Sequence, residues 1–296
     1  MNERIFVLGG TGNSAQIDFA DVLPDAGVTE WVRSPTSLPS LLRGHTAVLH
    51  GPRLFVLGGS EVTTLSARIL VSTITPTGSL TPFERNPVDL PFPMSGHASV
   101  VIGDQLLLIG GYAQTPSAYA RIASVYLADF TSDGGVGAWR ALSALPAGRS
   151  EHDVAVIGDT VFCAGGTDSA DAGVADLFAA TFSSSTLSAW RSVGSLNGPL
   201  WNHQLVSVDD RLHLFGGNGP VGPQFTVQTS SLDDAGVLSS WSFGTPMMFP
   251  RGSPSVVRLG ARLFVISGRV PGPLEAPALD VEVFGIEPTG ALRRLP

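Results

Sequence analysis

The chain has 296 residues, of which 43% are hydrophobic and only 14% charged, with a net charge of −8 and no lysine among its 17 basic residues. That acidic balance, with no basic cluster, argues against nucleic acid as a partner, and no apolar run approaches the ~18–20 residues that would span a membrane. The single Cys163 excludes an intrachain disulfide and a thiolate zinc site, and reads as a small core residue.

The first element expected is a strand, Arg4-Ile5-Phe6-Val7-Leu8, which stops at Gly9-Gly10. It follows almost at once on Met1, so no signal peptide is expected. The chain as given reads as cytoplasmic, or as extracellular if it was excised from a longer precursor. The stretch Val7 to Ala15 also imitates the strand–glycine turn of a dinucleotide fold. That motif needs a helix after its glycines. Here Pro24 and a turn at Gly27 follow instead, so the imitation is read as structural.

The same strand and glycine pair return about every fifty residues, a period that marks an array of repeats. The copies end at Gly58-Gly59, Gly110-Gly111, Gly165-Gly166, Gly216-Gly217 and Ser267-Gly268. Before each of these five lies a second apolar run, beginning at His45, His97, His152, His203 and Pro254. Tight turns at Gly51-Pro52, Gly103-Asp104, Gly158-Asp159, Asp209-Asp210 and Gly260-Ala261 join the two runs, which therefore read as β-hairpins. A second hairpin follows, with turns at Gly27, Gly78, Gly134, Gly236 and Gly290, and Thr186 in the equivalent place of the fourth copy. An aromatic comes next (Trp31, Phe83, Trp139, Trp190, Trp241), then a proline (Pro39, Pro91, Pro146, Pro199, Pro250).

Each period thus holds four short strands, A to D, and none shows sustained helical spacing. Four antiparallel strands per ~40–50 residues make the blade of a β-propeller. The glycine pair and the downstream tryptophan resemble the kelch repeat, and the resemblance covers essentially the whole chain. It implies one all-β domain over 1–296, a six-bladed kelch-type propeller of four-stranded antiparallel blades. The blades are expected at about 1–39, 40–91, 92–146, 147–199, 200–250 and 251–296. The first inner strand would precede Met1, and the last outer strand is clipped near Pro296. The unpaired inner edge that results is a template for self-association.

Strands alternate in direction, so the A–B and C–D turns share one end of each blade and the B–C and D–A connections share the other. The second set is longer and varies, with inserts at Tyr112–Ala120 and Val270–Ala278. Variable loops on a rigid scaffold are where binding usually sits. Near that end lie Arg43, Arg149 and Arg251, with Glu151, Trp201 and Asn202 beside them, and Tyr112 and Tyr119 on the third insert. Arginine forks can take carboxylates. The same arginines could instead bridge blades, because repeated positions usually serve the repeat. The four histidines are read as structural, each capping the start of its inner strand. Ser150-Glu151-His152-Asp153 holds hydrolase residues in a row, but neighbours on a strand point alternately apart.

The resemblance also carries precedents. The copper oxidases of this fold use a tyrosine cross-linked to cysteine, and no tyrosine here matches a partner for Cys163. Sialic-acid mutarotases resemble the chain in having six kelch blades, without a catalytic motif that can be matched residue by residue. The expectation is therefore a non-catalytic scaffold binding a protein or glycan at the B–C/D–A end. No cofactor, metal or catalytic residue is expected. The alternative is a carbohydrate-active enzyme of the mutarotase type, worked by Arg43, Arg149, Glu151, His152, Trp201 and Arg251.

Overall fold

The computed structural model describes residues 3–10, 14–25, 27–233, 235–268 and 280–296. Every regular element among them is a β-strand. No helix of the described residues is long and apolar enough to cross a membrane. Gly12 of the dinucleotide-like stretch and the Val270–Ala278 insert lie outside the described residues. The segment that would have to be helical for a dinucleotide site is the strand Ile17–Asp21.

The second to sixth repeats each build an antiparallel sheet in the order A-B-C-D. In the second repeat these strands are Thr46–His50, Arg53–Leu57, Ile69–Thr73 and Glu84–Arg85. In the third they are Ala98–Ile102, Gln105–Ile109, Val125–Asp129 and Arg140–Leu142. The fourth has Asp153–Ile157, Thr160–Ala164, Asp176–Ser183 and Arg191–Ser195, with a fifth short strand, Thr186–Leu187, in the C–D connection. The fifth has Gln204–Val208, Arg211–Phe215, Val227–Ser231 and Ser242–Phe243, and the sixth Ser255–Leu259, Arg262–Ile266, Val281–Ile286 and Leu292–Arg294. Among the described residues the first repeat has three strands: Arg4–Leu8 as B, Ile17–Asp21 as C and Val32–Arg33 as D.

Register repeats with the sequence. The residue after each inner histidine, or after Pro254, faces the last residue of strand B: Thr46↔Leu57, Ala98↔Ile109, Asp153↔Ala164, Gln204↔Phe215, Ser255↔Ile266. The A–B turns start on a left-handed residue, Gly51, Gly103, Gly158 or Gly260, with φ between 55° and 60°. Asp209 takes the place in the fifth repeat at φ 53°, as aspartate tolerates better than most side chains. The fourth C–D turn departs from the expected pattern. Ser184 and Ser185, at φ 49° and 59°, make it, one step before Thr186.

Contacts divide the chain into two compact units. One comprises 1–22, 29–150 and 184–187, and the other 23–28, 151–183 and 188–296. In the first unit, Phe55, Leu57 and Ile69 of the second repeat pack against Met94, Leu106 and Leu108 of the third. In the second unit, Trp241 of the fifth repeat packs with Phe162, Leu177 and Leu196 of the fourth. Fully covering such side chains contributes about 1.5–3 kcal/mol each.

The glycine pair joins one repeat to the next. Its second amide donates to a carbonyl three residues before the next histidine position: Gly10 to Leu42 (2.9 Å), Gly59 to Met94 (2.7 Å), Gly111 to Arg149, Gly166 to Leu200 and Gly217 to Arg251 (each 2.8 Å). The first glycine faces the same oxygen. A Cβ on Gly58 would lie 2.8 Å from Met94 O, and on Gly165 2.4 Å from Leu200 O. The first residue of strand B adds a second link. Arg4 donates to Gly78 O at 2.8 Å, Arg53 to Gly134 O at 2.9 Å, and Arg262 to Leu23 O at 3.1 Å.

Candidate functional site

His97 links two repeats and makes no hydrogen bond to the start of its own strand. In the first unit, His97 Nε2 lies 3.0 Å from Thr46 Oγ1 of the preceding repeat, which itself accepts from Ser99 Oγ at 2.7 Å. Thr46 then donates to His97, whose ring is neutral. The ring also fills the space that the glycines leave. A Cβ on Gly58 would meet His97 Cε1 at 3.0 Å, and one on Gly111 would meet His97 Cβ at 2.8 Å. His203 stands in the same way between Gly165 and Gly217 in the second unit. Burial, with His45 nearby, pushes His97 down to about 3, and burial takes His45 and His203 to about 4. Among the described residues no group of three or more His, Cys, Asp or Glu is placed to hold a metal ion.

Structure separates the three arginines. Arg149 and Arg251 occupy the row held elsewhere by Leu42, Met94 and Leu200, a core row, and are 1% and 0% exposed. Arg251 donates to Ser267 O (2.7 Å), Asp280 (2.5 and 3.1 Å) and Glu282 (3.0 and 3.2 Å). Glu282 also accepts from the amide of Met248 at 2.6 Å. Arg43 belongs to the next row, with Ser95, Ser150 and Trp201. It is exposed, while its backbone pairs with Ser60.

A third row lies one residue before each histidine position, and it was not evident from sequence. Gly44, Gly96, Glu151, Asn202 and Ser253 all have φ between 50° and 62°. Their backbones connect: Gly96 N to Gly44 O (2.8 Å) in the first unit, and Asn202 N to Glu151 O (2.8 Å) and Ser253 N to Asn202 O (2.9 Å) in the second. The Gly-His pairs at 44–45 and 96–97 were the available signal. Trp201 beside this row pairs with Asn218 and covers Gly173, where a Cβ would lie 2.6 Å from the indole. Structure thus brings Glu151, Asn202 and Trp201 together in the second unit and buries the Arg251 guanidinium against Asp280 and Glu282.

In the first unit, the third B–C connection is a hairpin, Tyr112–Gln114 with Tyr119–Arg121, extended by Met94–Ser95. Alternation along it buries Ala113 and turns Tyr112 and Tyr119 outward, 37% and 51% exposed. Their rings stack at 6.0 Å and 23°. Arg121, paired across from Tyr112, holds its Cζ 5.7 Å from that ring while Nε donates to Ser150 Oγ at 3.0 Å. Sequence reading ended the insert one residue short of Arg121, and the i, i+2 relation to Tyr119 was the missed signal. Smaller hairpins mark the second and fifth B–C connections, Ser60–Glu61 with Thr64–Leu65 and Asn218–Gly219 with Gly222–Pro223. The second frames a polar cavity of about 290 Å³ lined by Glu61, Ser66, Arg68, Arg85 and Asp89. Its guanidinium groups are already paired, Arg68 with Glu61 at 3.1 Å and Arg85 with Asp89.

The family model described as the KLHDC2/KLHL20/DRC7 Kelch-repeats domain matches residues 1–217. No curated protein matches the chain. Among solved structures, that titled "Structure of YjhT" aligns with a TM-score of 0.78 at 14% identity, over all of this chain and 95% of the other. At that identity the likeness is one of fold, and it agrees with the repeats in showing a kelch-type β-propeller.

Proposed function

The chain belongs to the Kelch-repeat family, whose domains in general serve as protein-binding scaffolds, and from that premise we propose that it is a non-catalytic recognition scaffold for a protein partner. The contact surface is the B–C/D–A end of the sheets, centred on the third hairpin. The stacked pair Tyr112–Tyr119 with Arg121 beside it carries the reading. Tyrosine and arginine dominate interface hot spots, because each brings a large contact area and a polar handle at small entropic cost. The hairpin itself is fixed by pairing to Met94–Ser95 and by buried Ala113, so the rings are presented already ordered. By contrast the A–B ends are two-residue turns, with no hairpin to present paired aromatic rings.

Peptide ligands selected from a displayed library on the intact chain test this. Tyr112→Ser with Tyr119→Ser should weaken the selected ligands about thirtyfold, since hot-spot losses reach ~2 kcal/mol, while the thermal midpoint is unchanged. Ligands indifferent to both tyrosines, or a hairpin that takes only glycans, would overturn the reading.

One observation favours a second reading, a carbohydrate ligand in the second unit. Glu151 and Asn202 hold left-handed φ of 57° and 50° where the second and third repeats use glycine, and Trp201 flanks them. Strained non-glycine residues gather at functional sites. The mutarotase alternative, however, also calls on Arg149, His152 and Arg251, which are 1%, 5% and 0% exposed. Faster interconversion of sugar anomers by the protein, lost on Glu151→Gln, would favour the enzyme.

A further inference from the structure

The first sheet has an open inner edge. Its strand order begins with Arg4–Leu8, which pairs on one side with Ile17–Asp21 and on the other with no strand among the described residues. In the other five sheets strand B lies between A and C. Three features of this edge fit a missing occupant of defined chemistry.

Coverage is the first. In the other five repeats the last three residues of strand B are fully covered: Phe55, Val56 and Leu57 are at 0%, 1% and 0%, and Phe264, Val265 and Ile266 at 0%, 0% and 1%. Phe6, Val7 and Leu8 hold the same positions and are only half-buried. The second feature is space. A Cβ on Gly59, Gly111 or Gly217 would lie 2.9, 2.8 or 2.6 Å from the Cβ of the histidine heading its own sheet. A Cβ on Gly10 would meet nothing within 4 Å among the described residues. The third feature is register. The residue after the head faces the last residue of strand B in each complete sheet, as Thr46 faces Leu57. The corresponding positions here run from Leu8 back to Arg4.

We propose that Arg4–Gly10 is a binding site for an extended segment of a partner polypeptide, headed by histidine and followed by a five-residue aliphatic strand. The segment adds to the sheet antiparallel, its first strand residue opposite Leu8 and its fifth opposite Arg4. Main-chain hydrogen bonds along an exposed edge supply affinity, and alternate side chains supply selectivity. The head histidine gives the selectivity its sharpest element, because its Cβ and ring occupy the space over Gly10. This occupant fits the edge better than a second Arg4–Leu8 strand, which carries no histidine to fill that space. The surface is separate from the third hairpin, so each proposal can fail without the other.

A labelled peptide copying His97–Asp104, titrated against the intact chain, is the test. Saturable binding is expected, with slowed amide exchange at Arg4–Leu8. Replacing the peptide histidine by aspartate should weaken binding at least tenfold. Gly10→Ala should do the same, because its methyl group takes the vacant space. Its thermal midpoint should stay near that of Gly222→Ala, a glycine of similar φ (109° against 103°) with open space around it. The hydrogen-exchange comparison on the unaltered chain stands even if Gly10→Ala folds poorly. No saturation up to about 1 mM, where binding would be worth only ~4 kcal/mol, would overturn the proposal. So would Arg4–Leu8 amides that exchange in the free chain as slowly as those of Arg53–Leu57, or a dimer that the peptide does not dissociate.

Discussion

Glycine 58 and glycine 103 have the same φ, 59°, and opposite surroundings. Left-handed backbone costs a side chain roughly 1–2 kcal/mol wherever it occurs. Gly103→Ala should lose about that much, since nothing lies within 4 Å of the added methyl. Gly58→Ala should lose clearly more, because its methyl would press on Met94 O at 2.8 Å and Leu90 Cδ1 at 2.9 Å. Urea midpoints of the two variants compare them, and equal losses would deny that the glycine pair is a seam between repeats. Protonation gives a second prediction. His45, His97 and His203 have native values near 3 to 4 against an ordinary 6.5. Their contribution is complete above pH 6.5 and is lost as pH falls toward 4. Asp153 runs the other way. Burial raises it to about 7, against the pull of its bonds from Leu205 N, Val154 N and Gln204. Its contribution is present below pH 3.8 and lost as pH rises through 7. With His213, which burial also takes to about 4, four groups outweigh one, so stability should rise between pH 4.5 and 6.5, and Asp153→Asn should steepen the rise. A flat profile in that window would mean that the histidines are not buried neutral. Sequence showed that the histidines repeat, but not what they touch, because the glycine that each ring packs against lies in the preceding repeat, as Gly9, Gly58 and Gly165 do for His45, His97 and His203.

Hairpins were the most legible elements. Tight polar turns between aliphatic runs, four of them on glycine and one on Asp209, located every A–B pair, and the five registers coincide. What sequence blurred was phase within the D–A connection. Arg43, Arg149 and Arg251 looked alike at two or three residues before the histidine position, yet one residue of offset separates exposed Arg43 from buried Arg149 and Arg251. Arg251 is tolerated in the core because strand C of its own repeat carries Glu282, where the second repeat has Leu70. Breaking a buried pair from one side costs about 3–5 kcal/mol, whereas apolar replacement of both sides can be neutral. Arg251→Met should therefore destabilise by about that amount, and adding Glu282→Leu should restore most of the loss. Thermal unfolding of the two variants decides it. A double variant no better than the single one would show that Asp280 and Ser267, not Glu282, hold the arginine.

Across the whole molecule, the family and the likeness to YjhT rest on backbone features that survive low identity. A glycine amide, a neighbouring carbonyl and a left-handed turn are repeated with different side chains around them. This is why 14% identity accompanies a TM-score of 0.78, and why the fold was readable from the spacing of glycine pairs, turns and aromatics. Recognition was less readable, because it depends on side chains that no repeat rule specifies. Tyr112 and Tyr119 were visible as an insert, but their stacking required the hairpin register, and Arg121 required the strand across from it. The B–C/D–A end as the recognition surface is the claim on which the proposed function depends. Amide hydrogen exchange of the intact chain, with and without a selected peptide ligand, addresses it most directly. The expected result is slowed exchange across Tyr112–Arg121 and Met94–Ser95, with the A–B turns at Gly103-Asp104 and Gly158-Asp159 unchanged. Slowing confined to those turns, with the third hairpin unaffected, would contradict it.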